Sequence, residues 1–145
     1  MAVTSEPIRW RVHLSSPPEK AYEFLSTDEG RARFWAESAV EGEGKIDFRL
    51  PNGMTLTGKI LTKEPPGRFS VKYFGGTTAT FELASDGLRG TDLTLTETGV
   101  PEKWREENLA GWVSVLMTLK AATDHGIDLR NHDASRTWDQ SFADN

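Results

Sequence analysis

Two histidines near the end of the sequence have acidic neighbours, an arrangement that a metal centre could use. His125 and His132 lie in the stretch DHGIDLRNHD, with Asp124 and Asp133 beside them. Their spacing matches no zinc or non-haem iron pattern, and Gly126 breaks the helix between them. The sequence has no cysteine, so thiolate ligands and thiol catalysis are excluded. We therefore expect surface residues at a helix end, with no metal and no cofactor.

Carboxylates accompanied by arginines are the second group that could do chemistry. A carboxylate that faces a cavity and pairs with an arginine can act as a general base or orient a polar ligand. The ordinary alternative is an ion pair between neighbouring strands on the outer face of a sheet. We favour that alternative and assign no catalytic residue, since the sequence shows no Ser/His/Asp arrangement, phosphate-binding loop or dinucleotide motif. The candidates are Glu37, Glu41, Asp47 and Glu82, with Arg9, Arg11 and Arg49.

Aromatic side chains form the third group, and five of them are tryptophans. Large rings that line a concavity suit an apolar ligand, but the same rings can simply fill a core. The alternation of side chains along a strand does not decide between the two faces where both carry rings, as at Tyr73 and Phe74. Both uses of the rings stay open at this point.

The composition is typical of one globular domain. The chain has 145 residues, of which 37% are hydrophobic and 27% are charged. Its formal net charge of −5 argues against a surface that attracts nucleic acid or anionic membranes. No stretch approaches the roughly 20 apolar residues of a membrane helix, and the start shows no signal-peptide pattern. We expect a single soluble domain over residues 1–145 in the cytoplasm, with no nucleic-acid partner and no membrane insertion.

The first elements that position these groups are a strand and two short helices. Residues 8–14 (IRWRVHL) alternate strictly between apolar and polar, as a half-buried strand requires. Ser16 and Glu19 have the spacing of a capping box at the start of a helix. Thr27 is the expected cap of a second, shorter helix that leads to Phe34 and Trp35.

Residues 37–98 follow a strand pattern throughout, with turn signals such as PNG and PPG between short apolar runs. This rhythm predicts an antiparallel meander. From about residue 102 to 124 the pattern becomes helical, and Gly126 is its natural stop.

The final helix has a broad apolar side that predicts deep packing against the sheet. Glu107, Ser114, Thr118 and Ala121 are expected on its opposite side. Gly111 falls at the rim of the apolar side, where we expect a strand or the N-terminal helices to approach its backbone. Replacing it with leucine should then destabilise the fold. The residues expected on the apolar side are Trp104, Leu109, Trp112, Val115, Leu116, Leu119 and Ala122.

The order of elements, with SPPEKAYEFLSTDEGRARFW near the start and the Gly-Trp-x-x-x-Leu-x-x-Leu pattern of residues 111–119, resembles one domain family. This is the family named after the activator of the heat-shock protein 90 ATPase, in the START-related, birch-pollen-allergen-like (SRPBCC) superfamily. The resemblance spans roughly residues 8–127. It implies the α+β helix-grip fold: a curved antiparallel sheet of about six to seven strands wrapped around a long C-terminal helix, with two short helices after strand one.

The resemblance also implies a cavity between the sheet and the final helix. We expect it to bind an apolar or amphipathic small molecule without catalysis. A cyclase- or aromatase-like enzyme is an alternative that needs a buried ionisable pair in the cavity, and stimulation of a chaperone ATPase is another. The expected lining is Trp10, Phe48, Leu56, Tyr73, Phe81, Trp112, Leu116 and Leu119, with Phe34 and Trp35 at the mouth.

Residues 127–145, the C-terminal tail, are polar except for a few side chains such as Trp138 and Phe142. These two rings could dock on the domain, cover the cavity entrance or join a dimer interface. We expect a partly docked tail and a monomer or weak homodimer.

Overall fold

A computed structural model describes residues 3–145 of the chain, which contain one seven-stranded sheet and three α-helices. Short 3₁₀ turns add to these at Phe74–Gly76, Glu102–Trp104 and Trp138–Gln140. The helices are α1 Pro18–Ser26, α2 Asp28–Ala32 and α3 Arg105–His125. The strands are β1 Ile8–Leu14, β2 Ser38–Gly42, β3 Lys45–Arg49, β4 Thr55–Glu64, β5 Arg68–Lys72, β6 Thr78–Ser85 and β7 Thr91–Thr98.

The sheet is antiparallel throughout, and its strands run in the order β1-β7-β6-β5-β4-β3-β2. Strands β2 to β6 each pair with the next one in the chain, as the meander predicted. The first strand pairs with the last, with Ile8 opposite Glu97 and Leu14 opposite Thr91. The sheet, the long final helix and the short helices after β1 confirm the expected α+β helix-grip fold.

The apolar core lies between the concave face of the sheet and α3, where period-two alternation places every second side chain. On β6, Ala79 and Phe81 are fully buried and Glu82 between Phe81 and Leu83 is exposed. Gly58 on β4 lies so close to β5 that a Cβ there would overlap the carbonyl oxygen of Lys72. The close approach of β4 and β5 at this position therefore requires glycine.

The helix α3 ends where the sequence predicted, because Gly126 adopts the left-handed conformation (φ 65°) that closes a helix. Trp112, Leu116 and Leu119 are buried against the sheet as expected. Thr118 is also buried, so the expectation that it lies on the open side was wrong. The tail reaches that side of the helix one turn earlier, where the Ser114 hydroxyl donates to the carbonyl oxygen of Ala143.

Of the two predicted helix caps, one is present and one is not. The Thr27 hydroxyl accepts a hydrogen bond from the Gly30 amide (3.0 Å) and caps α2 as predicted. The capping box of Ser16 and Glu19 was wrong, because α1 has no side-chain cap. The Ser16 hydroxyl instead bonds Asp124 (2.7 Å) and the carbonyl oxygen of Thr123 (3.0 Å), and so ties the start of α1 to the end of α3.

The expected role of Gly111 was also wrong. The residue is exposed on α3, and a Cβ built there would meet nothing within 4 Å. No strand or helix grips the backbone at this point, so nothing in the surroundings requires a glycine.

Replacing Gly111 with alanine should raise the free energy of unfolding by roughly 0.5–1 kcal/mol, because alanine has the higher helix propensity and the site has room for it. Urea denaturation measures the change. Gly58→Ala is the matched control and should destabilise, since its Cβ would overlap the Lys72 carbonyl. A loss of stability in Gly111→Ala would show that the helix is closely packed at this point after all.

None of the helices in the described part of the chain is both long enough and apolar enough to span a membrane.

Candidate functional site

Five aromatic rings meet between the sheet and α3 and form the aromatic cluster: Trp35, Phe48, Tyr73, Phe81 and Trp112. Trp35 is central, with its ring centroid 5.0 Å from that of Phe48, 5.2 Å from Phe81 and 5.8 Å from Tyr73. Trp112 of α3 lies 5.3 Å from Tyr73 and 5.9 Å from Phe81. These tilted and edge-on contacts are the geometries that aromatic pairs prefer. The cluster joins β3, β5, β6, α3 and the segment after α2.

The other residues expected to line a cavity lie at different distances from this cluster. Phe34 stacks on Trp35 (5.8 Å, 29°) and is buried, and Leu116 and Leu119 are buried on α3. Leu56 is partly buried at the edge of the core. Trp10 is apart from them: it is 38% exposed at the edge strand, and its indole N–H donates to the carbonyl oxygen of Leu109 (3.2 Å).

A carboxyl group lies beside the aromatic cluster, on Glu97 of β7, and it is completely buried. Its Oε1 accepts hydrogen bonds from the indole N–H of Trp112 (2.8 Å) and the side-chain amide of Asn108 (3.2 Å). Its Oε2 accepts a third, from the hydroxyl of Thr77 (2.7 Å). All three donors are neutral, so the carboxyl group is solvated by the protein without a counter-charge.

Glu97 was missing from the candidates drawn from the sequence, although the strand pattern contains a signal for it. In TDLTLTET the inward register runs through Leu93 and Leu95, and Glu97 is the next residue in that register. Its cross-strand neighbours, Ile8 on β1 and Ala79 on β6, are both fully buried. An acid in the inward register of a central strand is therefore the sequence feature that identifies this site.

The Tyr73 hydroxyl is a second polar group within the cluster. The indole N–H of Trp35 donates to its hydroxyl (3.2 Å). Burial raises the pKa of the Tyr73 hydroxyl, the hydrogen bond from Trp35 opposes this, and the nearby charge of Glu97 raises it further. The hydroxyl therefore remains protonated and acts as a polar contact inside the cluster.

The site is covered on one side by a single thin layer of half-buried residues. Beyond Tyr73 the chain forms the short turn Phe74–Gly76, and Gly75 and Gly76 both have positive φ (62° and 81°). The ring of Trp104 packs on Gly75 so closely that a Cβ would lie 2.5 Å from it. Phe74, Trp104 and Asn108 are each partly exposed.

The carboxylates that the sequence suggested for acid–base chemistry lie outside this interior. Glu41 pairs with Lys63 (2.9 Å), and Asp47 accepts from the Thr57 hydroxyl (2.7 Å). Arg9, Arg11 and Glu82 line an open depression on the outer face of the sheet. Arg49 is exposed at the end of β3.

Near the end of the chain, Asp124, His132 and Asp133 have structural partners, and His125 is exposed at the end of α3. Asp124 accepts hydrogen bonds from the Ser15 and Ser16 amides and from Ser16 Oγ, which hold its pKa well below its usual range despite burial. No group of three or more such side chains within residues 3–145 is arranged to hold a metal ion.

The tail contacts the segment that carries Trp35. Arg130 is nearly buried and donates to the carbonyl oxygens of Ala36 (2.8 Å) and Ala32 (2.6 Å). Asp128 pairs with its guanidinium group (2.9 Å). Trp138 and Phe142 stay about 40% exposed (40% and 39%). The tail thus binds the backbone on both sides of Phe34 and Trp35 and leaves its own rings partly exposed to solvent.

His132 completes this contact by bridging two acids. Its Nδ1 lies 2.8 Å from Glu37, and its Nε2 lies 2.7 Å from Asp128. Both partners only accept hydrogen bonds when ionised, so both ring nitrogens must donate and the imidazole carries a positive charge. These hydrogen bonds raise the pKa of His132.

The rings of the aromatic cluster pack against one another between the sheet and α3, so the open cavity that the resemblance implied there is not confirmed. Two open depressions occur elsewhere on the described surface. One of about 470 Å³ lies on the outer face beside Arg9 and Glu82, and one of about 500 Å³ lies beside Pro17 and Leu88. Neither is lined by a residue of the aromatic cluster.

Replacing Thr77 with valine should lower the free energy of unfolding by about 1–3 kcal/mol, because it removes a donor from a buried carboxyl group without changing the side-chain shape. Thr55→Val, at an exposed position on β4, is the matched control and should change stability by less than about 0.5 kcal/mol. Urea denaturation of both variants measures the difference. Equal effects would mean that the Thr77 hydroxyl does not stabilise Glu97.

His132 should titrate above the ordinary histidine pKa of about 6.5. The folded protein holds this proton more tightly than the unfolded chain. The stabilisation that this proton gives to the folded protein is therefore fully present below the ordinary pKa. It is lost as the pH rises through the raised pKa of the folded state. An NMR titration of the imidazole signals measures the pKa, and Glu37→Gln should lower it. A value at or below the ordinary one would contradict the bridge.

Solved structures of other proteins show the same fold. A protein from Staphylococcus saprophyticus is 24% identical, with a TM-score of 0.75 over 86% of this chain and 96% of its own. The Aha1 dimer from Colwellia psychrerythraea is 25% identical, with a TM-score of 0.76 over 84% and 98%. CalU16 from Micromonospora echinospora is 25% identical, with a TM-score of 0.67 over 79% and 72%.

The sequence itself points to the same group of proteins. A search of curated proteins found no match. The sequence model of the family described as "Activator of Hsp90 ATPase homolog 1-like protein" matches residues 15–124. This range is most of the chain and runs from the start of α1 to the end of α3. It includes both the inward face of the sheet and the helix that packs on it. The chain therefore belongs to the Activator of Hsp90 ATPase homolog 1-like family.

Proposed function

We propose that the chain binds an apolar or amphipathic small molecule between the sheet and α3, without catalysis. The fold of this family is commonly used to bind hydrophobic ligands. The observation that carries the proposal is the carboxyl group of Glu97, buried where the neighbouring inward positions hold leucines. Burying a polar group there costs stability that an apolar residue would not, and it places beside the rings a carboxyl group that the polar part of a ligand can use.

The aromatic cluster supplies the apolar part of such a site. Its rings come from separate elements and meet edge-on or tilted, so an apolar ligand would meet both ring faces and ring edges. Tyr73, Asn108 and Glu97 add polar groups at one end. A few polar groups at one end of an apolar site are the usual composition of a small-molecule pocket.

Binding requires the rings to move, because they fill the space in this structure. The residues beside the site that would have to move, Phe74 and Trp104, are only half-buried. Gly75 and Gly76 form the turn between Tyr73 and Thr77. A ligand would replace ring–ring contacts with ring–ligand contacts of the same kind. Trp35 and Trp112, which are central to the cluster, would report its arrangement through their fluorescence.

An enzymatic function is not part of the proposal. The cyclase-like alternative needs a buried ionisable pair, and the partners of Glu97 are neutral. Stimulation of a chaperone ATPase is supported only by the name of the family.

Location and assembly remain part of the same proposal. The absence of cysteine is compatible with the cytoplasm. A monomer or weak homodimer is compatible with the exposed rings of Trp138 and Phe142, and the relative from Colwellia psychrerythraea is described as a dimer.

Titration with the neutral fluorescent probe N-phenylnaphthylamine tests the site directly. We expect saturable binding with energy transfer from tryptophan, and we expect Ala79→Leu to weaken it at least 10-fold. Ala79 is fully buried on β6 beside Phe81, opposite Glu97, so a larger side chain would occupy the space that the probe needs. Thermal unfolding of the variant shows that it is folded, since overpacking costs about 1–3 kcal/mol.

The matched control is Ala84→Leu, on the exposed face of the same strand, which should bind the probe like the unmodified protein. Native mass spectrometry of protein purified from its own host should also show a bound small molecule. The proposal fails if the probe does not bind saturably, or if both variants bind it equally well.

A further inference from the structure

We propose that the interior site selects a ligand with a positively charged nitrogen, and that the carboxylate of Glu97 binds that nitrogen. The inference rests on the proposed function, because it names the class of ligand that the same site would take. The ligand class is an amphipathic organic amine, with an apolar body among the rings and a protonated or quaternary nitrogen at the carboxylate.

The first step of the argument is the missing counter-charge. The ion pairs of the described residues do not include Glu97. Arg105, the nearby cation at the start of α3, donates to Ser5 and to the backbone oxygen of Glu6 instead. A buried carboxylate without a cationic partner attracts any cation that can reach it, because the interior screens charge poorly.

The second step is the acceptor capacity that remains on the carboxylate. Its two oxygens offer about four acceptor positions. Oε1 receives two donors, Trp112 and Asn108, whereas Oε2 receives only Thr77. One position on Oε2 is thus open to a further donor. An ammonium group would form a charge-assisted bond there, which is stronger than a bond from a neutral donor.

The third step is the aromatic surface around that position. Trp112 turns its N–H edge to Glu97, and its ring lies 5.3 Å from that of Tyr73 with 37° between the planes. Trp35 lies 6.3 Å from Trp112. A cation within about 6 Å of a ring centroid is attracted to the face of the ring, most strongly for tryptophan. A ligand whose apolar body lies among these rings would gain this attraction wherever its charged nitrogen meets a ring face.

The surface above the site points the same way. Asn108 contacts Glu97 and is itself partly exposed, so the carboxylate lies one side chain below solvent. Glu102, Glu106 and Glu107 lie at the start of α3 and outnumber Lys103 and Arg105 there. The net charge of −5 also favours the approach of cations over anions to the chain as a whole.

Three probes that differ only in their end group test this selectivity at neutral pH: naphthylethylamine, which is protonated, propylnaphthalene, which is neutral, and naphthylpropanoate, which is an anion. Displacement of N-phenylnaphthylamine measures each affinity. We expect the amine to bind at least 10-fold tighter than propylnaphthalene, and the propanoate to bind most weakly. In Glu97→Gln, which keeps the shape but removes the charge, the amine should lose this advantage while propylnaphthalene binds within about threefold of its original affinity.

Glu82→Gln is the matched control, because it removes an exposed carboxylate from the outer face of β6 and should leave the preference for the amine unchanged. Equal binding of the amine and propylnaphthalene to the unmodified protein would overturn the inference and leave the proposed site intact. An unchanged preference in Glu97→Gln would overturn the role of this carboxylate. If none of the probes displaces N-phenylnaphthylamine although it binds, the selectivity is wrong; if nothing binds, the proposed function itself fails. The comparison on the unmodified protein needs no variant to fold.

Discussion

The hydrogen bond from the indole of Trp112 to the carboxyl group of Glu97 is the interaction on which the interior depends. It joins α3 to β7. The indole nitrogen and the carboxyl oxygen are 2.8 Å apart, and both side chains are buried from water. The same indole ring touches Tyr73 and Phe81, so one side chain fixes both the polar and the apolar parts of the site. A helix held in this way cannot slide or rotate against the sheet without leaving a buried acid with fewer donors, which is costly.

The parts of the fold that depend on local patterns were predictable from the sequence. Period-two alternation gave the inward side chains of most strands, and Gly126 marked the end of α3 because a left-handed residue closes a helix. Thr27 was identified as a cap from its own neighbours, and it makes that bond within three residues. In each case the residues that decide the structure are adjacent in the chain.

The errors concern residues whose surroundings are formed by parts of the chain that are distant in sequence. Ser16 has the spacing of a cap, but its hydroxyl bonds Asp124, 108 residues further on. The rim position of Gly111 suggested a close neighbour, yet the space beside it is open. Trp10 follows the inward alternation of β1, but β1 is an edge strand of the sheet and the Trp10 side chain is 38% exposed. Glu97 could have been recognised, because its position in the inward register follows from the neighbouring residues of β7. Its three hydrogen-bond donors could not, because they lie outside this strand.

The pairing of the first strand with the last has a kinetic consequence. Ile8 lies opposite Glu97, so closing the sheet brings together residues separated by most of the domain. Contacts of this range form only after a large loss of chain entropy, which slows folding. A chain emerging from the ribosome can form the meander of β2 to β6, but it cannot enclose the carboxyl group until β7 and α3 have been synthesised. Arg130 is synthesised later still, so its hydrogen bond to the segment that carries Trp35 is among the last contacts to form.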